Sequence, residues 1–316
     1  MVHAQRKNLT TKSGLREGKD RSSFAVEAKN RCDAGGLRVT CRDFKMQRPP
    51  SISVVTPCWN SARTIRETID SVVNQHYVPI EHIVVDGGSK DETISVLESY
   101  PHLKWTSEMD EGHFHAMNKG IARATGDWII ILNADDCFRP GALAAVAREI
   151  QAHPDWDATF GDVVYVDAGG GEIYRREEAV YDYNVLRYGI NYVNHQTLFV
   201  RRTVYDRIGV YRYREYPKAS CYEFTLRLGK EKCRVGHVRA CLVNFRIHDN
   251  ISSTPSGLRE IDNEGRLIRR EYGVPERWQK VLSYYGRFLR QLQKLFYLGK
   301  CDTFSGNWML EKHKRK

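Results

Sequence analysis

The chain has 316 residues, 41% of them hydrophobic, which is enough for one large domain or one domain with appendages. Its net charge of +10 is unevenly placed: residues 1–48 carry 12 Lys/Arg against 5 Asp/Glu, residues 255–316 carry 14 against 7, and residues 49–254 are mildly acidic. Basic ends on an acidic body, without a nucleic-acid motif, argue against a nucleic-acid-binding protein and suit an anionic membrane surface at least as well.

Residues 1–48 are polar and aperiodic, and disorder is expected there. Residues 52–56 read as a β-branched strand that delivers Pro57, Cys58, Trp59 and Asn60 to a loop. The helical spacing of residues 62, 65, 69, 72 and 73 follows, with Asn60 or Ser61 as its cap. Residues 81–86 form a second buried strand that ends in Asp86-Gly-Gly. That turn either lets a ligand approach the backbone, with Asp86 accepting from a base or ribose, or is an ordinary strand-to-helix turn. A helix over 90–100, a strand over 104–108 and a helix ended by Gly126 come next; Asp110, Asn118 and Lys119 are polar groups near that helix start. The run Trp128 to Leu132 is a strand buried on both faces, and it places Asn133, Asp135 and Asp136 at the sheet edge where open α/β sheets bind ligands. Two adjacent carboxylates there either hold a hard divalent cation or cap the helix that begins at Pro140. This alternation predicts a parallel, doubly wound first half.

Beyond Pro154 the pattern predicts a hairpin over 159–175, a strand over 192–201 carrying His195 and Gln196 inward, helices over 203–216 and 219–228, and a last strand over 242–248. Residues 276–300 space their apolar side chains helically, either against the core or as an interfacial helix on an anionic membrane. The eight cysteines form neither a CxxC pair nor a zinc spacing and read as reduced thiols. With no signal peptide and no spanning run, the expected location is cytoplasmic, either soluble or peripheral on the inner face of the plasma membrane.

Val55-Thr-Pro-Cys-Trp-Asn60, Val84-Val-Asp-Gly-Gly-Ser89, Ser107-Glu108 with Ala116-Met-Asn-Lys-Gly120, and Leu132-Asn-Ala-Asp-Asp136 occur in order. Together they resemble an inverting family 2 glycosyltransferase of GT-A fold, of the kind found in bacterial polysaccharide assembly, over residues 50–250. The resemblance implies an α/β, Rossmann-like sheet flanked by helices in residues 49–254, followed by a helical appendage in 255–316. It implies a nucleotide diphosphate sugar donor held by Thr56, Pro57, Asn60, Asp86, Asp110, Asn118, Lys119 and Asn133. It also implies Mn²⁺ or Mg²⁺ on the donor diphosphate at Asp135 and Asp136, with His248 as a further metal or diphosphate contact. His195 and Gln196 resemble a pair lining the site of a glycan or lipid-linked acceptor, although a strand histidine is more often a structural, hydrogen-bonded residue.

Two positions depart from the pattern. His115 stands where relatives carry Asp, and Cys221 stands where the first Asp of an Asp-Tyr-Glu helix resembles the catalytic base. Loss of a general base costs about 10²–10⁴-fold. Three alternatives follow: Glu223 substitutes, the loop is shifted by two residues, or the protein is a catalytically impaired nucleotide-sugar-binding scaffold.

Overall fold

The computed structural model describes residues 48–247 and 255–299. The basic extension up to residue 47 and His248 lie outside the described residues.

The centre of the parallel half of the sheet is β1 (Ile52–Cys58), buried at every position. It pairs in parallel with β2 (Ile80–Asp86) on one side and with β4 (Trp128–Ile131) on the other, and β3 (Lys104–Ser107) extends β2. Alternation along these strands separates two apolar layers. Val55, Ile129 and Ile131 face one core, while Val54, Ile130 and Leu132 face the other. The helices α1 (Ile65–Val73), α2 (Thr93–Glu98) and α3 (His113–Arg123) connect the parallel strands. Helix α3 lies close on β1, because a Cβ on Gly120 would come 2.2 Å from Val55 Cγ1. The expected parallel half is therefore present, and its strands all end at one edge.

The second half turns the chain back. β4 pairs antiparallel with β8 (Phe199–Arg201), and β8 pairs antiparallel with β6 (Ala158–Val166). β6 runs parallel with β9 (Val235–Arg246), which meets the short β5 (Cys137–Phe138), and β7 (Glu172–Arg176) closes a hairpin on β6. Two antiparallel steps restore direction, so β6 and β9 also end at the edge where β4 ends. Around the sheet lie α4 (Ala142–Ala152), α5 (Tyr183–Arg187), α6 (Arg202–Ile208) and α7 (Ser220–Lys230), then α8 (Pro255–Glu271) and α9 (Glu276–Leu298). Among the described residues no helix is long and apolar enough to cross a membrane.

Four elements differ from the sequence reading. The strand expected over 192–201 is a strand only from Phe199. His195–Thr197 form a 3-10 turn instead, because the Asn194 carbonyl accepts from both Thr197 N (3.1 Å) and Thr197 Oγ1 (3.0 Å). The last strand starts at Val235, earlier than its apolar run suggests. Both β5 and α5 are too short to leave a periodic signal.

The lower end of this sheet is fastened by Glu81. Its carboxylate accepts from Lys104 Nζ (2.7 Å), Thr125 N (2.6 Å), Gly126 N (3.2 Å) and the Ser53 hydroxyl. Burial works to raise its pKa, but the hydrogen bonds from Lys104, Ser53 and Thr125 prevail and hold it at about 2 against an ordinary 4.5. A carboxylate whose folded pKa is depressed contributes stability that is complete above its unfolded pKa and is lost as pH falls towards the folded value. Glu81→Gln is thus expected to lower the melting temperature at pH 7, with the gap to the wild type narrowing between pH 4.5 and pH 2. A gap independent of pH would contradict this role.

Candidate active site

The loops after β1, β2 and β4 and the end of β9 lie at the shared edge. At the end of β2, the buried Asp86 accepts from Gly88 N (3.0 Å), Ser89 N (2.9 Å), Ser107 Oγ (2.6 Å) and the Ser89 hydroxyl. Burial raises its pKa, and the bonds from Ser107, Ser89 and Gly88 outweigh that and lower it. The carboxylate is fully covered. Expected to face a base or ribose, it instead folds the Gly-Gly-Ser loop around itself.

Gly87, next to it, lies against Asp110 and Trp59. A Cβ at position 87 would sit 2.8 Å from Asp110 Oδ2 and 3.5 Å from Trp59 Cδ1. Glycine is required there by close approach, and the half-buried Asp110 is held through Oδ1 by Gly112 N (2.8 Å). Trp59 is 64% exposed, so an indole face, a backbone and a carboxylate border one notch. Asn60, at φ 49, donates from its backbone N to Ser89 Oγ (2.7 Å) and accepts from Lys90 N (2.8 Å), stitching the β1 loop to the β2 loop.

Other expected donor residues point elsewhere. Thr56 is buried, its Oγ1 2.9 Å from His82 Nε2, and Pro57 is likewise inside β1. Asn118 clamps Tyr211 through both backbone groups, donating to its carbonyl (2.8 Å) and accepting from its N–H (3.0 Å). Lys119 donates to the Met109 carbonyl (3.0 Å) and pairs with Glu108 (3.2 Å). Asn118 and Lys119 thus hold neighbouring loops, their polar ends met by backbone groups and, for Lys119, also by Glu108.

The loop after β4 separates its two carboxylates. Asp136 is fully buried and accepts from Arg246 N (2.9 Å), Gln196 Nε2 (3.1 Å) and the Asn133 side chain. Burial first, and the Asp135 charge second, raise its pKa well above the ordinary carboxylate range. Asp135 is only half-buried. Arg246, which the sequence reading missed, ties this loop down. It donates to the Asp135 carbonyl (3.1 Å) and to the Ala168 carbonyl (2.7 Å), and its guanidinium meets Glu67 at 2.5 Å. Its one sequence signal is a cation at the end of an apolar strand.

His195 lies beside this loop, its Nε2 3.4 Å from Asn133 Oδ1. Burial and then the His113 charge lower its pKa to about 3, with Asp135 opposing, so the imidazole is neutral at physiological pH. Gln196 Oε1 is buried without a protein partner among the described residues. His115, in place of the resemblance's Asp, accepts from Glu111 N (3.0 Å) and stacks on Tyr213. No group of three His, Cys, Asp or Glu side chains among the described residues is arranged to hold a metal ion. A lone carboxylate such as Asp135 still suits a hard cation whose other ligands are phosphate oxygens and waters.

Residues 53–214 match the family model described as Glycosyl transferase family 2. The chain belongs to that family. A Mycobacterium bovis protein named PGL/p-HBAD biosynthesis glycosyltransferase is 29% identical over 245 residues, covering 74% of this chain and 93% of its own. An uncharacterized glycosyltransferase of Haemophilus influenzae is 24% identical over 72% of this chain and 74% of its own. The crystal structure of S. aureus TarS 1-349 in complex with UDP-GlcNAc superposes with a TM-score of 0.58 at 20% identity, covering 78% of this chain and 75% of that one. The sheet is accordingly that of a GT-A-type glycosyltransferase.

In this glycosyltransferase Glu223 is not placed to act as a base. It is fully buried, with Arg227 at 2.8 Å, Arg212 at 3.3 Å and Tyr272 Oη donating at 2.7 Å. Its four-residue offset from Arg227 puts both on one face of α7, and that face is turned to α8. The half-buried Cys221 has its thiol pushed up to about 11 by burial, so it does not accept protons at neutral pH. Glu223→Gln would remove the carboxylate that faces Arg227 and one of the three that face Arg212, and we expect a loss of about 3 kcal/mol in stability. Chemical denaturation checks this. An unchanged midpoint would return Glu223 to the catalytic candidates.

Proposed function

We propose that this glycosyltransferase moves a sugar from a nucleoside diphosphate sugar to a hydroxyl of a glycan or lipid-linked acceptor, by a single displacement with inversion. The observation that carries the reading is the asymmetry of the carboxylate pair: Asp136 is locked inside while Asp135 remains half-exposed at the edge shared with the Gly87–Asp110–Trp59 notch. A nucleoside in the notch and a diphosphate towards Asp135 follow from that layout. The complex of TarS with UDP-GlcNAc supports the donor class, and the mycobacterial relative's name supports glycosyl transfer.

The acceptor oxygen would attack the anomeric carbon as the bond to the diphosphate breaks, the diphosphate leaving with the electron pair and the hydroxyl proton passing to a base. A Mn²⁺ or Mg²⁺ ion held by Asp135, when bound, supplies charge compensation for the leaving diphosphate. Asn133 and Arg246 fix the loop that carries Asp135, and the neutral His195 with the buried Gln196 Oε1 offers hydrogen-bonding atoms to sugar hydroxyls. His113 stands at the first position of α3, its pKa lowered to about 4 by burial first and the Lys218 charge second, with Asp110 opposing; this neutral, weakly basic imidazole is our candidate proton acceptor.

The protonated thiol of the half-buried Cys221 and the sequestered carboxylate of Glu223 favour a second reading, a nucleotide-sugar-binding scaffold without turnover. Donor hydrolysis, measured beside calorimetric binding of UDP and GDP, separates the two. Binding without turnover of any donor supports the scaffold.

Asp135→Ala is expected to weaken nucleotide binding about tenfold or more in Mn²⁺ and to leave it unchanged in chelator, as loss of one metal ligand requires. Equal wild-type affinity in Mn²⁺ and in chelator would remove the metal from the site. Cys221→Asp is expected to raise turnover, by up to about the 10²–10⁴-fold that a positioned base contributes. Unchanged turnover in that variant, with loss in His113→Ala, would assign the proton to His113.

A further inference from the structure

Helix α9 docks largely through polar side chains, with Leu289 packed on the core between them. Gln279 and Lys294 are buried; Gln279 Nε2 donates to the Arg266 carbonyl (3.0 Å), and Lys294 stands 3.8 Å from the buried Glu178. Arg290 also pairs with Glu178, and Gln293 donates to Asp182 Oδ2 (2.7 Å). Gly286 marks the closest approach, since a Cβ there would come 3.0 Å from Tyr188 Cβ.

The opposite side of the helix is apolar. Trp278, Val281, Tyr285, Phe288, Leu292 and Leu295 recur at alternating steps of three and four, which aligns them along one stripe. Phe288 is 58% exposed and Phe296, at the end of the stripe, 86%. Arg277, Lys280 and Arg287 are exposed along the flank, and the single acidic residue of the helix is Glu276 at its start. A helix that buries amides and cations while presenting aromatics to the outside has its amphipathic face turned outward.

We propose that α9 is a membrane-docking helix that lies flat on an anionic lipid surface, its aromatic stripe in the headgroup–acyl boundary and its flanking cations on lipid phosphates. The chemistry selects this occupant. Three-four spacing also suits a helix pair, but Trp278, Tyr285 and Phe288 take three of the six stripe positions where such pairs carry aliphatic knobs, and the flanks of two copies would oppose cation to cation. Residues 312–316, Lys-His-Lys-Arg-Lys, are equally cationic and would be repelled by the same flank. Aromatic rings with a basic border are the composition that interfacial helices use.

Co-sedimentation of the full chain with phosphatidylcholine vesicles, with and without phosphatidylglycerol, tests the proposal. Wild type is expected to bind the anionic vesicles at least about tenfold more tightly than the neutral ones, and the Arg277→Gln, Lys280→Gln, Arg287→Gln variant to lose that preference. Phe288→Ser with Phe296→Ser is expected to weaken binding at least about tenfold, with the far-ultraviolet circular dichroism and nucleotide affinity of the wild type retained. Undiminished binding by the Phe variant would attribute association to basic segments elsewhere and overturn the proposal. So would wild-type dimerisation that the Phe variant abolishes, in the absence of vesicle binding, because a second copy would then own the stripe. None of these readouts requires a donor or turnover.

Discussion

The structure depends most on how Asp136 is kept. A carboxylate removed from water is tolerable only when every lone pair is met or a proton neutralises it, and Asp136 draws its partners from three parts of the chain. Arg246 N comes from the end of β9, Gln196 Nε2 from the turn before β8, and Asn133 from its own loop. The bonds therefore close the two halves of the sheet against each other at the edge where the parallel strands end. Asp135 owes its position to this closure, because its own carbonyl is held by the same Arg246.

The other buried carboxylates repeat this logic with different partners. Asp86 is met by its own loop and Ser107, Glu178 by Arg176 and Arg290, and Glu223 by Arg212, Arg227 and Tyr272. Each joins segments distant in sequence, and removing a partner exposes the remaining charge to a low-dielectric interior. Such groups specify which loop lies on which helix. They resemble catalytic residues in type and spacing, and their burial is what separates them from the half-exposed Asp135.

That distinction explains which parts of the site were legible in the sequence. The strands β1, β2 and β4 were readable because a run buried on both faces has a composition of its own, and the residues following each run had to fall at the strand ends. The roles of Asn118 and Lys119 were not readable, since their partners, the Tyr211 backbone and the Met109 carbonyl, are set by loop paths that no local pattern encodes. Glu223 was partly readable: Arg227 stands four residues on, and that spacing marks a carboxylate already paired along its helix. The turn at His195 went unseen because Thr197 suits a strand by propensity and is diverted by one side-chain bond to Asn194.

Helix α9 shows the remaining limit. Apolar periodicity reveals that a helix has two unlike faces, but which face meets the core depends on what the core offers. Here the receiving surface carries Glu178 and Asp182 beside the apolar contact that Leu289 makes with the core, so cations and amides are drawn inward and the larger apolar stripe is left on the outside. The charge of the receiving surface thus sets the orientation of the helix, and through it the chemistry that the C-terminal region presents to its surroundings.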